Sequence, residues 1–227
     1  MTTCVRKINT RKCNFETLIS SVNLYHAFLH LLPAIHLYST SLPNLPAVIS
    51  ETTMRLHHTK HHNAYVTNLN ASLEKLDAAM AKGDVSAIIA LQGALRFNGG
   101  GHLNHTLFWE NLTPPGSSST SGPTGALKQA IEDCFCTVEN LQKQFIPMTI
   151  GVQGSGWGWL GYNKTTHRLE IATCANQDPL QATTGLLPIF GIDVWEVRNS
   201  TFLFSIFEVF SLKSFIPPPF FFTSLII

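Results

Sequence analysis

The chain is organised around residues 97–109, FNGGGHLNHTLFW. Its two histidines, His102 and His105, are three positions apart and therefore lie on one face of a helix. The three glycines before them carry no side chains, so another backbone can approach the helix closely. A second histidine-rich stretch, LHHTKHHNAY, covers residues 56–65, and GIDVWE covers residues 191–196. Together the three stretches predict a buried metal held by histidine and carboxylate groups from three parts of the chain.

Length and charge restrict the class of protein. The 227 residues suffice for one large domain or two small ones with an ample core. The formal net charge is +1, so no bulk electrostatic field favours binding to nucleic acid or to an anionic membrane. We therefore expect no nucleic-acid partner.

The five cysteines do not follow a disulfide pattern. Their number is odd and their spacing irregular, which is typical of free thiols in a reducing compartment. Cys134 and Cys136 are two positions apart, but a zinc site of this kind needs a second pair. The sequence therefore favours free thiols over a zinc site.

Residues 1–41 are predicted to be a leader. Residues 1–17 contain four basic residues and a single acid, Glu16, which is typical of a mitochondrial transit peptide rather than of a secretory signal. An unprocessed or wrongly predicted leader is the alternative. Residues 18–37 are apolar but interrupted by polar side chains and by Pro33, so no stable membrane insertion is expected there.

Residues 42–112 are predicted to form a helical hairpin domain. The first helix is expected from Ser50, as its N-cap, to about Asn70. Residues four apart on one of its faces are His57, His61 and Tyr65. A second helix begins after a cap at Asp84 or Ser86, and two long helices with a short connection form an antiparallel hairpin.

The second half of the chain has a different pattern. Residues 113–125 are rich in Pro, Ser, Thr and Gly and are predicted to be a linker. Residues 126–146 have a helical pattern, and residues 151–162 are turn-rich and aromatic. Residues 169–173 alternate in the manner of a half-buried strand, and a second strand is predicted within residues 186–194.

Residues 200–227 form a divergent tail that holds eight of the fifteen phenylalanines. The prolines at 217–219 rule out one helix through the segment. We interpret the tail as read-through of non-coding sequence or as an alternative transcript end. A membrane anchor is the other interpretation, although the apolar runs are short and broken.

Five motifs stand in order between about residue 42 and residue 196: HHTKHHNAYV, FNGGGHLNHTLFW, GVQGSGWGWLGYN, NQDPL and GIDVWE. Through them the chain resembles the manganese/iron superoxide dismutase family, and most of all its eukaryotic mitochondrial manganese members. The resemblance implies an α+β fold, with the helical hairpin, an α/β domain at residues 126–199 that contains a small antiparallel sheet, and a metal site between them. It also implies dismutation of superoxide, manganese or else iron as cofactor, the mitochondrial matrix as location, and a homodimer or homotetramer.

The metal ligands of that family are three histidines and one aspartate. By motif position the resemblance assigns three of them to His57, His105 and Asp193. The fourth falls on Val197, which has no lone pair to offer. Glu196 matches a residue that reaches the partner subunit's ligand, and it loses its acceptor with that change. The alternative to an active enzyme is therefore a catalytically impaired splice variant or gene-model product that lacks the fourth ligand.

Three further residues gain a catalytic role through the resemblance. Tyr65 matches the gateway phenol on the proton path, and Gln177 matches the amide that tunes the potential of the metal. His61 matches the gateway histidine, but the tyrosine it would meet on the partner falls on Ser200. A glycine at Gly101, in place of a bulkier residue, fits the manganese pattern.

Overall fold

The computed structural model describes residues 51–112 and 122–195, which belong to one compact unit. The predicted leader, most of the predicted linker, the tail and the missing-ligand position Val197 lie outside the described residues. Within the described ranges, no helix combines the length and the apolar character needed to cross a bilayer.

A helical rod runs from Glu51 to Lys82. Its parts are α1 (Glu51–Leu56), a π-helical segment (His57–His62) and α2 (Asn63–Lys82). The prediction that this helix ends near residue 70 is wrong, because its apolar stripe continues beyond that point. The buried residues of the stripe are Leu69, Leu73, Leu76 and Ala79. The rod ends at Gly83, which adopts the left-handed conformation (φ 65°) typical of a helix C-terminus.

The second long helix, α3 (Val85–Asn111), packs along α2 as the predicted hairpin. Asp84 caps it, because its carboxylate accepts a hydrogen bond from the Ala87 N–H at 3.0 Å. Of the two predicted caps, Asp84 is therefore the one that the structure uses. The three consecutive glycines of the central motif are buried within α3.

Two shorter helices follow, α4 (Gly125–Phe135) and α5 (Val138–Ile150). The sequence predicts one continuous helix over residues 126–146, but the helix is interrupted at Cys136, whose φ is 68°. Thr137 then starts the next helix by accepting a hydrogen bond from the Asn140 N–H at 3.1 Å.

A three-stranded antiparallel sheet completes the described structure, with α6 (Leu180–Thr184) before its last strand. The strands are β1 (Gly156–Asn163), β2 (Arg168–Ala175) and β3 (Leu187–Asp193), in the order β2-β1-β3. The two strands expected from the sequence are confirmed as β2 and β3. The small antiparallel sheet implied by the resemblance is confirmed as well.

The central strand β1 is the element that the sequence pattern conceals. Residues 156–161 are all buried, so the strand lacks the alternation that marks a half-exposed one. A side chain at Gly158 would overlap the Thr149 side chain of α5, which shows that the helix packs directly on the strand at this glycine.

One apolar core joins the helical hairpin to the sheet. Met54 from α1 and Phe108 from α3 belong to the same buried cluster as the sheet residues Trp157 and Ile192. Within the sheet, Trp157 pairs with Asp193 at the end of β3. This junction between α3, the π-helical segment and the end of β3 is where the metal-binding candidates meet.

Candidate metal centre

The structure brings His57, His105 and Asp193 together from three elements. The Nε2 atoms of the two histidines lie 2.9 Å apart. Asp193 Oδ2 lies 3.3 Å from His57 Nε2 and 3.5 Å from His105 Nε2. Within the described ranges, this is the one group of at least three His, Cys, Asp or Glu residues whose ligand atoms converge.

The His105 ring is oriented by its own helix. Its Nδ1 lies 2.7 Å from the Gly101 carbonyl oxygen, one helical turn away, and donates a hydrogen bond to it. Nε2 then carries the lone pair and faces the other two candidates. Burial lowers the pKa of His105 and outweighs the opposing effect of Asp193. A neutral imidazole with its lone pair directed at the cluster is the form that binds a metal.

Asp193 is held as a carboxylate. Burial by itself would raise its pKa, but hydrogen bonds and charge from His105 and His57 outweigh that effect and lower it to about 2. Its other oxygen, Oδ1, accepts a hydrogen bond from the Trp195 N–H at 2.9 Å. One oxygen is therefore fixed by the backbone while Oδ2 faces the two histidines.

The arrangement fits a metal ion. Two donors that are each roughly 2.1 Å from one ion lie about 3.0–3.6 Å apart when the angle between them is 90–120°. The three separations here, 2.9, 3.3 and 3.5 Å, are close to that range. Two imidazole nitrogens and one carboxylate oxygen form a donor set that suits manganese or iron.

His102, the other histidine of the central motif, belongs to a separate buried pair. Its Nδ1 lies 2.9 Å from His62 Nε2, and His62 Nδ1 accepts a hydrogen bond from the Trp109 indole at 3.0 Å. Burial, together with the neighbouring histidines, lowers the pKa of His62 to about 3 and that of His102 to about 4. These neutral rings support the site, and the His62 ring stacks on His105 at a centroid distance of 5.6 Å.

Tyr65 lies against the helix that carries His105. A Cβ at Gly101 would lie 2.6 Å from two atoms of the Tyr65 ring, so the glycine makes room for the phenol. The ring centroids of Tyr65 and His105 are 5.1 Å apart. Burial and the charge of Asp193 raise the pKa of Tyr65 to about 12, against a smaller opposing effect of Gln177.

Gln177 is buried beside the same helix. Its Oε1 accepts a hydrogen bond from the Trp157 indole at 3.0 Å, and Asn104 lies within 3.5 Å of the same oxygen. Its Nε2 is buried and completes no hydrogen bond of normal geometry with any described residue. The NH2 group has two N–H donors, which are available to the neighbouring Tyr65 phenol and to a group bound at the site.

His61 lies at the solvent side of the cluster. It is exposed, and its ring meets the ring of His57 edge-on at a centroid distance of 5.8 Å. Asn104 was not among the candidates predicted from the sequence, yet it contacts Gln177 from the position next to His105. The available signal was the position of Asn104 directly before His105 in the central motif.

Comparison with known proteins agrees with this geometry. Residues 36–113 match the family described as "Iron/manganese superoxide dismutases, alpha-hairpin domain", and residues 123–198 match the corresponding "C-terminal domain". The chain belongs to the iron/manganese superoxide dismutase family. It is also 60% identical over 146 residues to a protein of Petromyzon marinus named "Superoxide dismutase [Mn], mitochondrial". That match covers 64% of this chain and 99% of the relative.

Membership of the superoxide dismutase family confirms the expected class of oxidoreductase, with superoxide as substrate. It also confirms the two-part fold, in which a helical hairpin precedes a domain with a small antiparallel sheet.

Proposed function

We propose that the chain dismutates superoxide with manganese bound by His57, His105 and Asp193. The observation that carries the proposal is the convergence of two imidazole nitrogens and one carboxylate oxygen, all within 3.5 Å of one another. Manganese, when bound, supplies the one-electron chemistry by which two superoxide anions and two protons become oxygen and hydrogen peroxide. Iron is the alternative, since it accepts the same donors.

The charge and orientation of the three proposed ligands suit a cation. Asp193 is ionised throughout the physiological range, because its pKa is lowered to about 2. His105 is neutral, because burial lowers its pKa, and the Gly101 carbonyl oxygen fixes which nitrogen carries the proton. The π-helical segment supplies His57, whose Nε2 faces both of the other ligands.

Tyr65 is the proposed proton donor. The formation of hydrogen peroxide consumes protons, and a phenol with a pKa of about 12 keeps its proton at Oη at every pH at which the enzyme would act. Gln177 is proposed to orient the Tyr65 phenol and a group bound at the site through its Nε2, while the Trp157 indole donates to its Oε1. His61, exposed next to His57, is proposed to line the entrance.

We also propose the location and assembly that the resemblance implies. The basic, acid-poor beginning of the chain and the mitochondrial relative support a mitochondrial protein, and we propose the matrix. The resemblance to the family supports a homodimer or homotetramer. The proposed domain limits are residues 42–112 and 126–199, joined by residues 113–125, with a leader before them and a divergent tail after them.

The proposal is tested by metal analysis of the purified full-length chain. Val197→His adds a ligand at the position where the family has its fourth, and Val197→Leu is a control that changes the side chain without adding a donor. Near-stoichiometric manganese and dismutation by the parent chain would support the proposal. Manganese only in Val197→His would show that the fourth ligand decides metal binding, and that the parent chain is the impaired variant.

One outcome of these measurements would refute the proposed function. If the parent and Val197→His chains are both folded and loaded with manganese, yet neither dismutates superoxide, the proposed function is wrong. Circular dichroism of the same samples establishes that they are folded.

A further inference from the structure

One face of α3 holds the segment that carries Gln177. Arg96, Gly100 and Asn104 are four positions apart on that helix, so they form a single row along it. Each member of the row contacts residues 177–179. The helix that supplies the ligand His105 therefore also determines where the amide of Gln177 lies.

At the Arg96 end of the row, a bidentate ion pair joins Arg96 to Asp178, and this pair is the fork. Arg96 Nε donates a hydrogen bond to Asp178 Oδ1, and Nη2 donates to Oδ2, both at 2.7 Å. Two parallel bonds between a planar guanidinium and a carboxylate fix orientation as well as distance. Asp178 directly follows Gln177, so the fork holds the backbone next to the buried amide.

The other two contacts of the row are close and mostly buried. A Cβ at Gly100 would overlap the Gln177 carbonyl oxygen and lie 3.0 Å from Pro179 Cδ, so helix and segment touch through their backbones. Asn104 Nδ2 donates a hydrogen bond to the Gln177 carbonyl oxygen at 3.2 Å. Arg96, in contrast, is more than half exposed. Its fork is the one contact of the row that a substitution can open without overfilling or emptying a buried space.

We infer that Arg96 is a positioning residue, which acts through Asp178 to set the place of the Gln177 amide beside Trp157. The inference rests on the proposed role of Gln177 for its effect on turnover. An exposed ion pair contributes little to folding stability, because water solvates both groups when the pair opens. The effect of losing the fork therefore falls on Gln177 and hardly on the unfolding midpoint.

Three changes test the ion pair between Arg96 and Asp178. Arg96→Gln removes its charge, and Arg96→Lys keeps the charge but cannot form two parallel bonds. Exchanging the partners in the double variant Arg96→Asp/Asp178→Arg restores a forked pair in the reverse direction. The matched control is Arg55→Gln, because Arg55 forms an exposed 2.7 Å pair with Glu51 on the same hairpin, four residues away in its own helix.

Trp157 provides a readout that does not depend on activity. Its indole N–H donates to Gln177 Oε1 at 3.0 Å, so the nitrogen–proton resonance of this indole reports the position of the amide. The chain has four tryptophans, and Trp157→Phe identifies the signal. The spectra are recorded on full-length chain loaded with zinc, a diamagnetic ion that accepts the same donors. The turnover number is measured on the manganese-loaded chain.

We expect Arg96→Gln and Arg96→Lys to shift the Trp157 signal and to lower kcat about tenfold, as small displacements in a catalytic site do. The exchanged pair should restore both in part, and Arg55→Gln should change neither. In a Gln177→Asn background, Arg96→Gln should lower kcat no further. An unchanged Trp157 signal in Arg96→Gln, equal shifts of all four indoles, or a further loss of kcat in the Gln177→Asn background would overturn the inference.

The inference and the proposed function fail in different ways. If manganese-loaded parent chain has no dismutation activity while the Trp157 signal responds only to the Arg96 variants, the positioning role stands and the proposed function is wrong. If the parent chain is active and the Trp157 signal ignores Arg96, the positioning role is wrong and the proposed function stands.

Discussion

Gly101 shows how tightly the site is packed around Tyr65. A Cβ at this position of α3 would lie 2.6 Å from both Cγ and Cδ1 of the Tyr65 ring. Favourable contacts between carbon atoms are about 3.5–4.0 Å, so the ring must move by roughly 1 Å to admit a methyl group. Gly101→Ala is therefore expected to displace the phenol from the proposed ligand His105, against which it now lies.

Two opposing contributions set the stability of Gly101→Ala. Replacing a mid-helix glycine by alanine stabilises a helix by about 1 kcal/mol, whereas an extra methyl group in a packed region costs about 1–3 kcal/mol. Gly93 lies on the same helix, and nothing lies within 4 Å of its Cβ position. Gly93→Ala therefore carries the helix contribution alone, and we expect Gly101→Ala to be less stable than Gly93→Ala by about 1–3 kcal/mol.

Urea denaturation followed by circular dichroism measures this difference in the free energy of unfolding. In thermal unfolding of a chain of this size, each kcal/mol corresponds to about 2–4 °C in Tm. We expect Gly93→Ala to retain dismutation in the manganese-loaded form and Gly101→Ala to lose much of it. Equal stability and equal activity of the two variants would refute the close packing of Tyr65 against Gly101.

Three further results are expected. In an absorbance titration, the folded protein should show ionisation of a phenol near pH 12, and Tyr65→Phe should remove it. Because an unfolded tyrosine ionises near pH 10, the stability due to this group should be lost between about pH 10 and pH 12. A titration without the step near pH 12 would contradict the burial of Tyr65. Because the pKa of His62 is lowered from 6.5 to about 3, its contribution to stability is present above pH 6.5 and is lost as the pH falls towards 3. His62→Gln should flatten that part of the curve of unfolding free energy against pH, and an unchanged slope would count against a neutral His62. Asp193→Asn removes the only carboxylate of the cluster and should lower manganese affinity at least about tenfold by elemental analysis and titration, whereas undiminished binding would show that the metal lies elsewhere.

Local patterns in the sequence predicted local structure well. The row His57, His61 and Tyr65 predicted the first helix but not its π-helical turn, and the candidate caps Asp84 and Ser86 predicted the start of the second. The strand β1 escaped prediction because both of its faces are covered, and burial on two faces removes the alternation that marks a strand. The break at Cys136 coincides with a positive φ, and the available signal for it was Thr137, which caps the next helix.

In the candidate site, likewise, motifs predicted residues, but the tertiary contacts of those residues could not be predicted. His57, His105 and Asp193, which the structure brings together, were proposed as ligands because each stands in a recognisable motif, although 136 positions separate the first from the last. The contacts of Asn104 and Arg96 with the segment after β2 were not foreseen. They depend on how α3 lies against that segment, and helical spacing gives the face of a residue but not what the face meets.

The π-helical segment His57–His62 sets the rotation of α1 about the axis of the rod relative to α2. Each residue of an α-helix advances the direction of its side chain by about 100°. If the same six residues formed a regular α-helix instead, the residue that the wider π turn accommodates would rotate everything before the segment by about that angle relative to α2. His57 would then face away from His105, and Met54 would leave the core that it now enters beside Phe108. The number of residues in this one turn is therefore as much a part of the metal site as the identity of its ligands.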